Sequence, residues 1–203
     1  MELLGNDDIN TELSGTTMVL VVICNSKMII ANIGDSRAVL GRSSQLNGLV
    51  DQELALSIDH KPCSPFERYR ITSMGGRVFP IRYSDGIVGP ERVWLGNRNS
   101  PGLAMSRSLC DTVAHEAGVI STPDIFERAI DAPSDRVLIL ATDGLWDVMT
   151  NMEVTSLCAA KSEPSAAVSA LIKEARTRWF SKSAFMDDTT VCVVFFHGSV
   201  PAI

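Results

Sequence analysis

The residues of this chain best suited to chemistry are carboxylates placed at the ends of apolar runs. Val137-Leu138-Ile139-Leu140-Ala141 leads at once into Thr142-Asp143-Gly144-Leu145-Trp146-Asp147. A strand that buries its apolar side chains delivers Asp143 at its end, where a rigid scaffold fixes a side chain best. Asp147 lies four residues on, so a helical turn between them puts both carboxylates on one side. Met186-Asp187-Asp188-Thr189 precedes the last apolar run, and Asn32-Ile33-Gly34-Asp35-Ser36-Arg37 closes an early one. Converging carboxylates with few bases nearby repel one another unless a hard divalent cation such as Mg²⁺ or Mn²⁺ sits among them. Taken singly, Asp35, Asp143, Asp147 and Asp187 each read first as turn formers, because an aspartate after a strand hydrogen-bonds its own backbone. Spacing alone leaves both readings open.

Other polar residues carry less. His60, His115 and His197 are scattered without H-x-x-x-H spacing and read as surface or hydrogen-bonded structural residues. Cys110 reads as a packed thiol rather than a nucleophile. Arg37 reads as the partner of a carboxylate before it reads as a ligand for an anion. Asp111 reads as a polar residue in the first turns of a helix, and Asp7-Asp8 as a solvated terminus. Ser14-Gly15-Thr16-Thr17 lacks the lysine and glycine spacing of a phosphate loop.

The elements that must hold these residues follow from periodicity and punctuation. Thr16–Cys24, Met28–Ile33 and Ala38–Gly41 are apolar, β-branched runs joined by short polar turns, which predicts an antiparallel meander. Glu53–Ile58 alternates as a further strand. Ser64-Pro65-Phe66-Glu67 combines a cap, Pro at the first helical position and Glu three residues after the cap, and Gly75-Gly76 closes that helix. Residues 80–102 mix Pro, Gly, Asn and Asp and read as a long irregular excursion. Leu109, Val113, Ala114 and Ala117 recur at helical spacing before Gly118. Thr150-Asn151-Met152-Glu153 is a capping box, and Pro164 opens a helix striped by Val168, Leu171, Ile172, Ala175 and Trp179. Thr190–Phe196 is the last strand. Strands in series with helices grouped between them predict an α+β fold with mainly antiparallel sheet.

Composition narrows the function classes. Hydrophobic residues make up 45% and charged residues 21% of the 203, which excludes general disorder. A formal net charge of −6 leaves no electrostatic footprint for nucleic acid or an anionic membrane. The longest apolar runs, Met18–Cys24 and Val191–Phe196, are too short to span a bilayer. The cysteines at 24, 63, 110, 158 and 192 are odd in number and form no C-x-x-C pair, as expected of a reducing compartment. The acidic start lacks the regions of a signal peptide. An intracellular protein, cytoplasmic or nuclear, is the expectation.

Taken in order, the motifs form a series: Ser14-Gly15-Thr16-Thr17, Asn32-Ile33-Gly34-Asp35-Ser36-Arg37, Asp59-His60-Lys61-Pro62, and Glu67 with Arg70-Ile71 and Gly75-Gly76. Leu103-Ala104-Met105-Ser106-Arg107-Ser108, Thr142-Asp143-Gly144-Leu145-Trp146-Asp147 and Asp187-Asp188-Thr189-Thr190-Val191 continue it. This series resembles the metal-dependent protein phosphatases, the serine/threonine phosphatases of type 2C. The resemblance implies a two-layer antiparallel β-sandwich flanked by helices, here lacking the family's N-terminal strands and helices. Neighbouring strands should then show unpaired edges or bare apolar faces. It makes 1–203 a single, N-terminally incomplete phosphatase-like domain, with 1–13 a loose lead-in and 80–102 a flap-like segment.

The resemblance also implies Mg²⁺ or Mn²⁺ and a metal-activated water that attacks phosphoserine or phosphothreonine in proteins. Asp143 and Asp187 match ligands of the core metal pair; Asp35 and Asp147, with Asp143, match ligands of a weaker third metal. Asp111 matches a recurrent position to which no role is attached. The family's early Asp-Gly-His-Gly-Gly motif, with the metal-bridging aspartate and a histidine proposed as general acid, is absent from the chain. Cys110 stands where the family usually has Gly, and Asp188 where it often has Asn. Three functions follow: the later portion of a protein serine/threonine phosphatase, a pseudophosphatase that binds without catalysis, or a structural domain whose carboxylates only form turns. The sequence does not speak to oligomeric state.

Overall fold

The run from Val137 to Ala141 is apolar because both faces of its strand are covered. The computed structural model describes residues 9–44, 50–83, 86–183 and 185–196. In chain order the elements begin β1 (Gly15–Thr16), β2 (Met18–Cys24), β3 (Lys27–Ile33), β4 (Arg37–Arg42), β5 (Gln52–Ala55) and α1 (Pro65–Ser73). Next come β6 (Arg77–Tyr83), β7 (Gly86–Trp94), β8 (Pro101–Leu103), β9 (Leu109–Cys110), α2 (Thr112–His115) and β10 (Asp124–Ala129). The chain closes with β11 (Asp135–Ala141), α3 (Asp143–Trp146), α4 (Asn151–Ala159), α5 (Pro164–Lys182) and β12 (Val191–Phe195). Two compact units result. One draws on the stretch ending at Met18, on Ile33–Asp35 and on Asp59–Asp124; the other on Val19–Asn32, Ser36–Ile58 and the stretch from Ile125 onward.

In the second unit β11 runs antiparallel between β12 and β4, with Ala141 opposite both Val191 and Arg37, and β5 adds to the far side of β4. A second sheet has the order β10-β3-β2. Met28, Ile30, Ala38, Leu40 and Leu138 pack between the sheets with Val19, Val21 and Val194. Val39, Val137 and Ile139 face the other way, onto Leu145, Trp146, Val154, Cys158, Leu171 and Ala175 of the three helices. Each of the fully buried aliphatic side chains contributes roughly 2 kcal/mol through surface removed from water. Burial also pushes the Cys158 thiol up to about 12, which leaves it a packed, unreactive group. This is the α+β arrangement, a sandwich of antiparallel sheets with helices on one side. Thr150 and Glu153 form the reciprocal capping box that the sequence predicts for α4.

The meander is only partly realised. Asn25 and Ser26, both at positive φ, close the hairpin between β2 and β3. The chain then turns at Gly34 (φ +96°), and β4 joins the other sheet instead of continuing the first.

The first unit has its own core of Ile71, Val93, Leu95, Ala114, Ala117 and Val119. Residues 80–102, expected to be irregular, instead supply most of a three-stranded sheet, β6-β7-β8. Pro80 misleads: it stands on the edge strand β6, at the register shift of the β6–β7 ladder, where a missing N–H costs least. Trp94 then stacks on Phe79 at 5.1 Å and donates its indole N–H to the Phe79 carbonyl. The helix expected around Leu109–Ala117 shrinks to Thr112–His115, because Cys110 (φ 66°) and Asp111 (φ 49°) are left-handed and β9 pairs with β1. The backbone of Thr11, Glu12 and Ser14 accepts hydrogen bonds from 111–113, so this part of the lead-in is held.

Leu20 and Val22 on β2 and Ile29 on β3 point away from the sandwich core and are 40% or more exposed. A bare apolar face of this kind drives association. Replacing Leu20 and Ile29 together by Lys is expected to reduce hydrophobic-dye binding and self-association in sedimentation, at a stability change within about 0.5 kcal/mol per site. Undiminished self-association would locate the sticky surface elsewhere.

Candidate functional site

Antiparallel pairing of β11 with β12 sets two strand ends side by side. Beyond Ala141–Val191, the Thr142 N–H donates to the Thr190 carbonyl (3.1 Å), and the Thr190 N–H donates to Thr142 Oγ1 (3.0 Å). Thr142 Oγ1 in turn donates to the Asp188 carbonyl at 3.2 Å. Asp143 follows Thr142 directly and opens α3; Asp187 directly precedes Asp188. The two aspartates therefore sit on neighbouring turns that are bonded to each other. Gly144 makes the approach possible, because a Cβ there would lie 2.4 Å from the Asp188 carbonyl oxygen and 2.5 Å from Thr189 Oγ1.

Asp147 is exposed one helical turn on, its N–H donating to the Asp143 carbonyl at 2.8 Å. Two tryptophans brace this turn from below: Trp146 Nε1 donates to the Ala141 carbonyl (2.8 Å) and Trp179 Nε1 to that of Gly144 (2.6 Å). Arg37 lies over the Trp146 ring at 5.2 Å and donates to Asn151 Oδ1. Asp187 also behaves as a turn former, since its Oδ1 accepts the Asp188 N–H at 2.8 Å.

Asp35 belongs to the first unit, where its buried carboxylate pairs with Lys61 Nζ at 2.6 Å. Near it runs a polar network that sequence reasoning passed over. His60, buried, takes the Gly34 N–H on Nδ1 (3.0 Å) and faces Asp124 Oδ2 through Nε2 (3.1 Å). Arg107 bridges Asp124 (2.8 Å) and Glu67 (2.9 Å), and Arg70 adds two further bonds to Glu67. Burial alone would raise the Glu67 carboxyl, but hydrogen bonds from Arg70, Arg107 and Ser106 outweigh it and hold it at about 2. Glu67 is thus drawn away from the capping role its position predicts, and Ser64 makes no side-chain cap. Charged residues at helical spacing carry no signal that distinguishes such a hub from a solvated face.

Asp111 is buried on the backbone of Gly15, where a Cβ would come within 1.9 Å of its Oδ2. His115 Nε2 is buried without a hydrogen-bond partner among the described residues. His197, Asp7 and Asp8 lie outside the described residues.

Carboxylate oxygens at Asp143, Asp147 and Asp187 are the right donors for a hard divalent cation. Their number falls short. Among the described residues no three His, Cys, Asp or Glu side chains converge as a metal cage. The described side chains do not by themselves complete a coordination shell.

The sequence model for protein phosphatase 2C matches residues 2–182. The chain belongs to the protein phosphatase 2C family. It is 40% identical over 198 residues to probable protein phosphatase 2C 12 of Oryza sativa subsp. japonica, covering 97% of this chain and 49% of that protein. Probable protein phosphatase 2C 34 of Arabidopsis thaliana is 38% identical over 201 residues, covering 98% and 54%. The chain thus spans about half the length of these relatives. Among solved structures, the serine-threonine phosphatase 2C from Toxoplasma gondii superposes with a TM-score of 0.81 at 26% identity, over 96% of this chain and 62% of that one. A sex determining protein of C. elegans shares the fold alone, at TM-score 0.67 and 23% identity. The family is metal-dependent, generally on Mg²⁺ or Mn²⁺.

Gly144→Ala is expected to force the two strand-end turns apart and to lower stability by about 1–3 kcal/mol in denaturant unfolding. An unaffected midpoint would show that the turns are not in contact. Because the Glu67 carboxyl is held below its unfolded value of 4.5, its contribution is complete above that pH and is lost as pH falls toward about 2. Glu67→Gln should therefore flatten the acid limb of thermal stability between roughly pH 4.5 and 2; an unchanged limb would deny Glu67 that role.

Proposed function

We propose that this chain supplies the later, carboxylate-bearing portion of a protein serine/threonine phosphatase, one that hydrolyses phosphoserine and phosphothreonine esters in the presence of Mg²⁺ or Mn²⁺. The observation that carries this reading is the bonded pair of strand ends bearing Asp143 and Asp187, in a chain of this family. Asp147 adds a further carboxylate one helical turn from Asp143, which a domain needing only strand-end turns does not require. Divalent cations supply charge neutralisation and Lewis acidity to such hydrolysis. The part of this chain is narrower: it offers carboxylate oxygens from one side and holds them on a braced scaffold.

A pseudophosphatase is the second reading, and two observations on the chain as given favour it. No cage of three metal-binding side chains forms among the described residues, and the Asp-Gly-His-Gly-Gly motif does not occur in the sequence. Phosphatase activity on this reading belongs to neither the chain nor any longer protein containing it.

Turnover of p-nitrophenyl phosphate and of a phosphothreonine peptide separates the readings. With excess Mn²⁺ the 203-residue chain alone is expected to be lower by several powers of ten than a fusion carrying the upstream portion of the rice relative; acid–base help alone is worth roughly 10²–10⁴. Asp143→Ala should abolish the fusion's activity. An inactive fusion whose circular dichroism shows it to be folded would favour the pseudophosphatase.

Calorimetry gives an independent check. The chain alone is expected to bind Mn²⁺ weakly, and Asp143→Asn to remove that binding, because most of the coordination shell falls to water. Identical titrations of the two would remove the support for a retained half-site.

A further inference from the structure

Gly34 and Asp35 form the turn between β3 and β4. Gly34 is at φ +96°, and a Cβ there would lie 2.3 Å from Thr17 Cγ2, so the position takes no larger residue and offers no side chain as an anchor. The adjacent pair His60-Lys61 grips it. His60 Nδ1 lies 3.0 Å from the Gly34 nitrogen, the His60 N–H donates to the Gly34 carbonyl (3.0 Å), and Lys61 takes the Asp35 carboxylate. Ser106 closes the loop from behind, its N–H donating to the His60 carbonyl at 2.8 Å.

A backbone amide can only donate, so Nδ1 must present its lone pair and Nε2 must carry the ring proton. Nε2 faces Asp124 Oδ2 at 3.1 Å, and an aspartate accepts that proton's hydrogen bond. Asp124 is held in turn by Arg107, whose guanidinium is tied to Glu67 and to the Thr122 carbonyl. With the ring buried, neither of its bonds is exchanged for water without cost.

We propose that His60 is a positioning residue, a clamp that holds the Gly34–Asp35 turn in the orientation in which Asp35 is presented, with Asp124 fixing its tautomer. The value of the clamp to catalysis rests on the proposed phosphatase reading of Asp35; the clamp itself rests on the geometry of the ring. A space-filling histidine would be replaced about equally well by Asn or Gln. A clamp would not. Asn retains an acceptor near the Nδ1 position, whereas Gln retains a donor near the Nε2 position and gives up the bond to Gly34.

The test is amide hydrogen exchange by NMR on the 203-residue chain and its His60→Asn and His60→Gln variants. Exchange of the Gly34 amide is expected to quicken about tenfold in His60→Gln, the equivalent of one net hydrogen bond, and to stay within about twofold in His60→Asn. Leu138 and Ile139 in β11 serve as controls for the intact fold. Equal effects of the two substitutions, or none from either, would overturn the proposal. Imidazole ¹⁵N shifts of the unsubstituted chain give a reading that needs no variant: the Nε2–H tautomer is expected, and the Nδ1–H tautomer would overturn the clamp outright. Mn²⁺ broadening of the Asp35 amide, recorded alongside, separates the two levels. Its absence with the exchange pattern intact would remove the metal role of Asp35 and uphold the clamp.

Discussion

The antiparallel register of β11 against β12 and β4 is the constraint on which the candidate site depends. It places Ala141 opposite Val191 on one side and Arg37 on the other. A slip of one residue would turn the alternating faces of β11 over, sending Leu138 toward the helices and Ile139 toward the other sheet. Both faces are packed, so the slip would disrupt two cores at once. Register and chemistry are thereby linked: the apolar run that fixes the pairing also fixes where Asp143 emerges relative to Asp187. The threonines at 142 and 190 carry the pairing past the last ladder residues, and Gly144 lets the turns close.

The first unit achieves rigidity by different means. Its apolar core is smaller, and the strand-poor stretch around His60 and Arg107 is ordered by charge-assisted hydrogen bonds. Such a network gives directional control that aliphatic packing cannot, at the cost of desolvating Glu67 and Arg107. It also makes the unit sensitive to acid, because protonating Glu67 leaves two guanidinium groups facing a neutral acid. Polar ordering suits a loop that must hold one carboxylate in one orientation.

Much of this could be read from the chain. Continuous apolar runs identify β11 and β12, the capping box locates the start of α4, and strand-end position singles out Asp143 and Asp187, with Asp147 a helical turn beyond the first. What escaped has physical causes. Pro80 and the glycines of 86–102 imitate a loop, although Pro80 stands on an edge strand at a register shift and Gly86, Gly89 and Gly102 lie within strands at positive φ. Leu109 to Ala117 has helical spacing, but two left-handed residues at Cys110 and Asp111 interrupt it, and nothing in their side chains announces that conformation. β10, with Asp124, Glu127 and Arg128 among its residues, has too little periodicity to stand out. His60 reads from spacing as a surface or hydrogen-bonded structural residue and is buried; its partners, Gly34 and Asp124, are 26 and 64 residues away in sequence and could not be paired from spacing.

On the proposed function, the paired ends of β11 and β12 present Asp143 and Asp187 to one divalent cation environment. Crystals of the chain soaked in Mn²⁺ and measured for anomalous scattering test it most directly. The expected result is a peak within metal–oxygen distance, about 2.1–2.3 Å, of a carboxylate oxygen of Asp143, with Asp187 contributing directly or through one bound water. A Mn²⁺ peak on other residues, with Asp143 and Asp187 turned only to their own backbone, would contradict the account and leave these aspartates as turn formers.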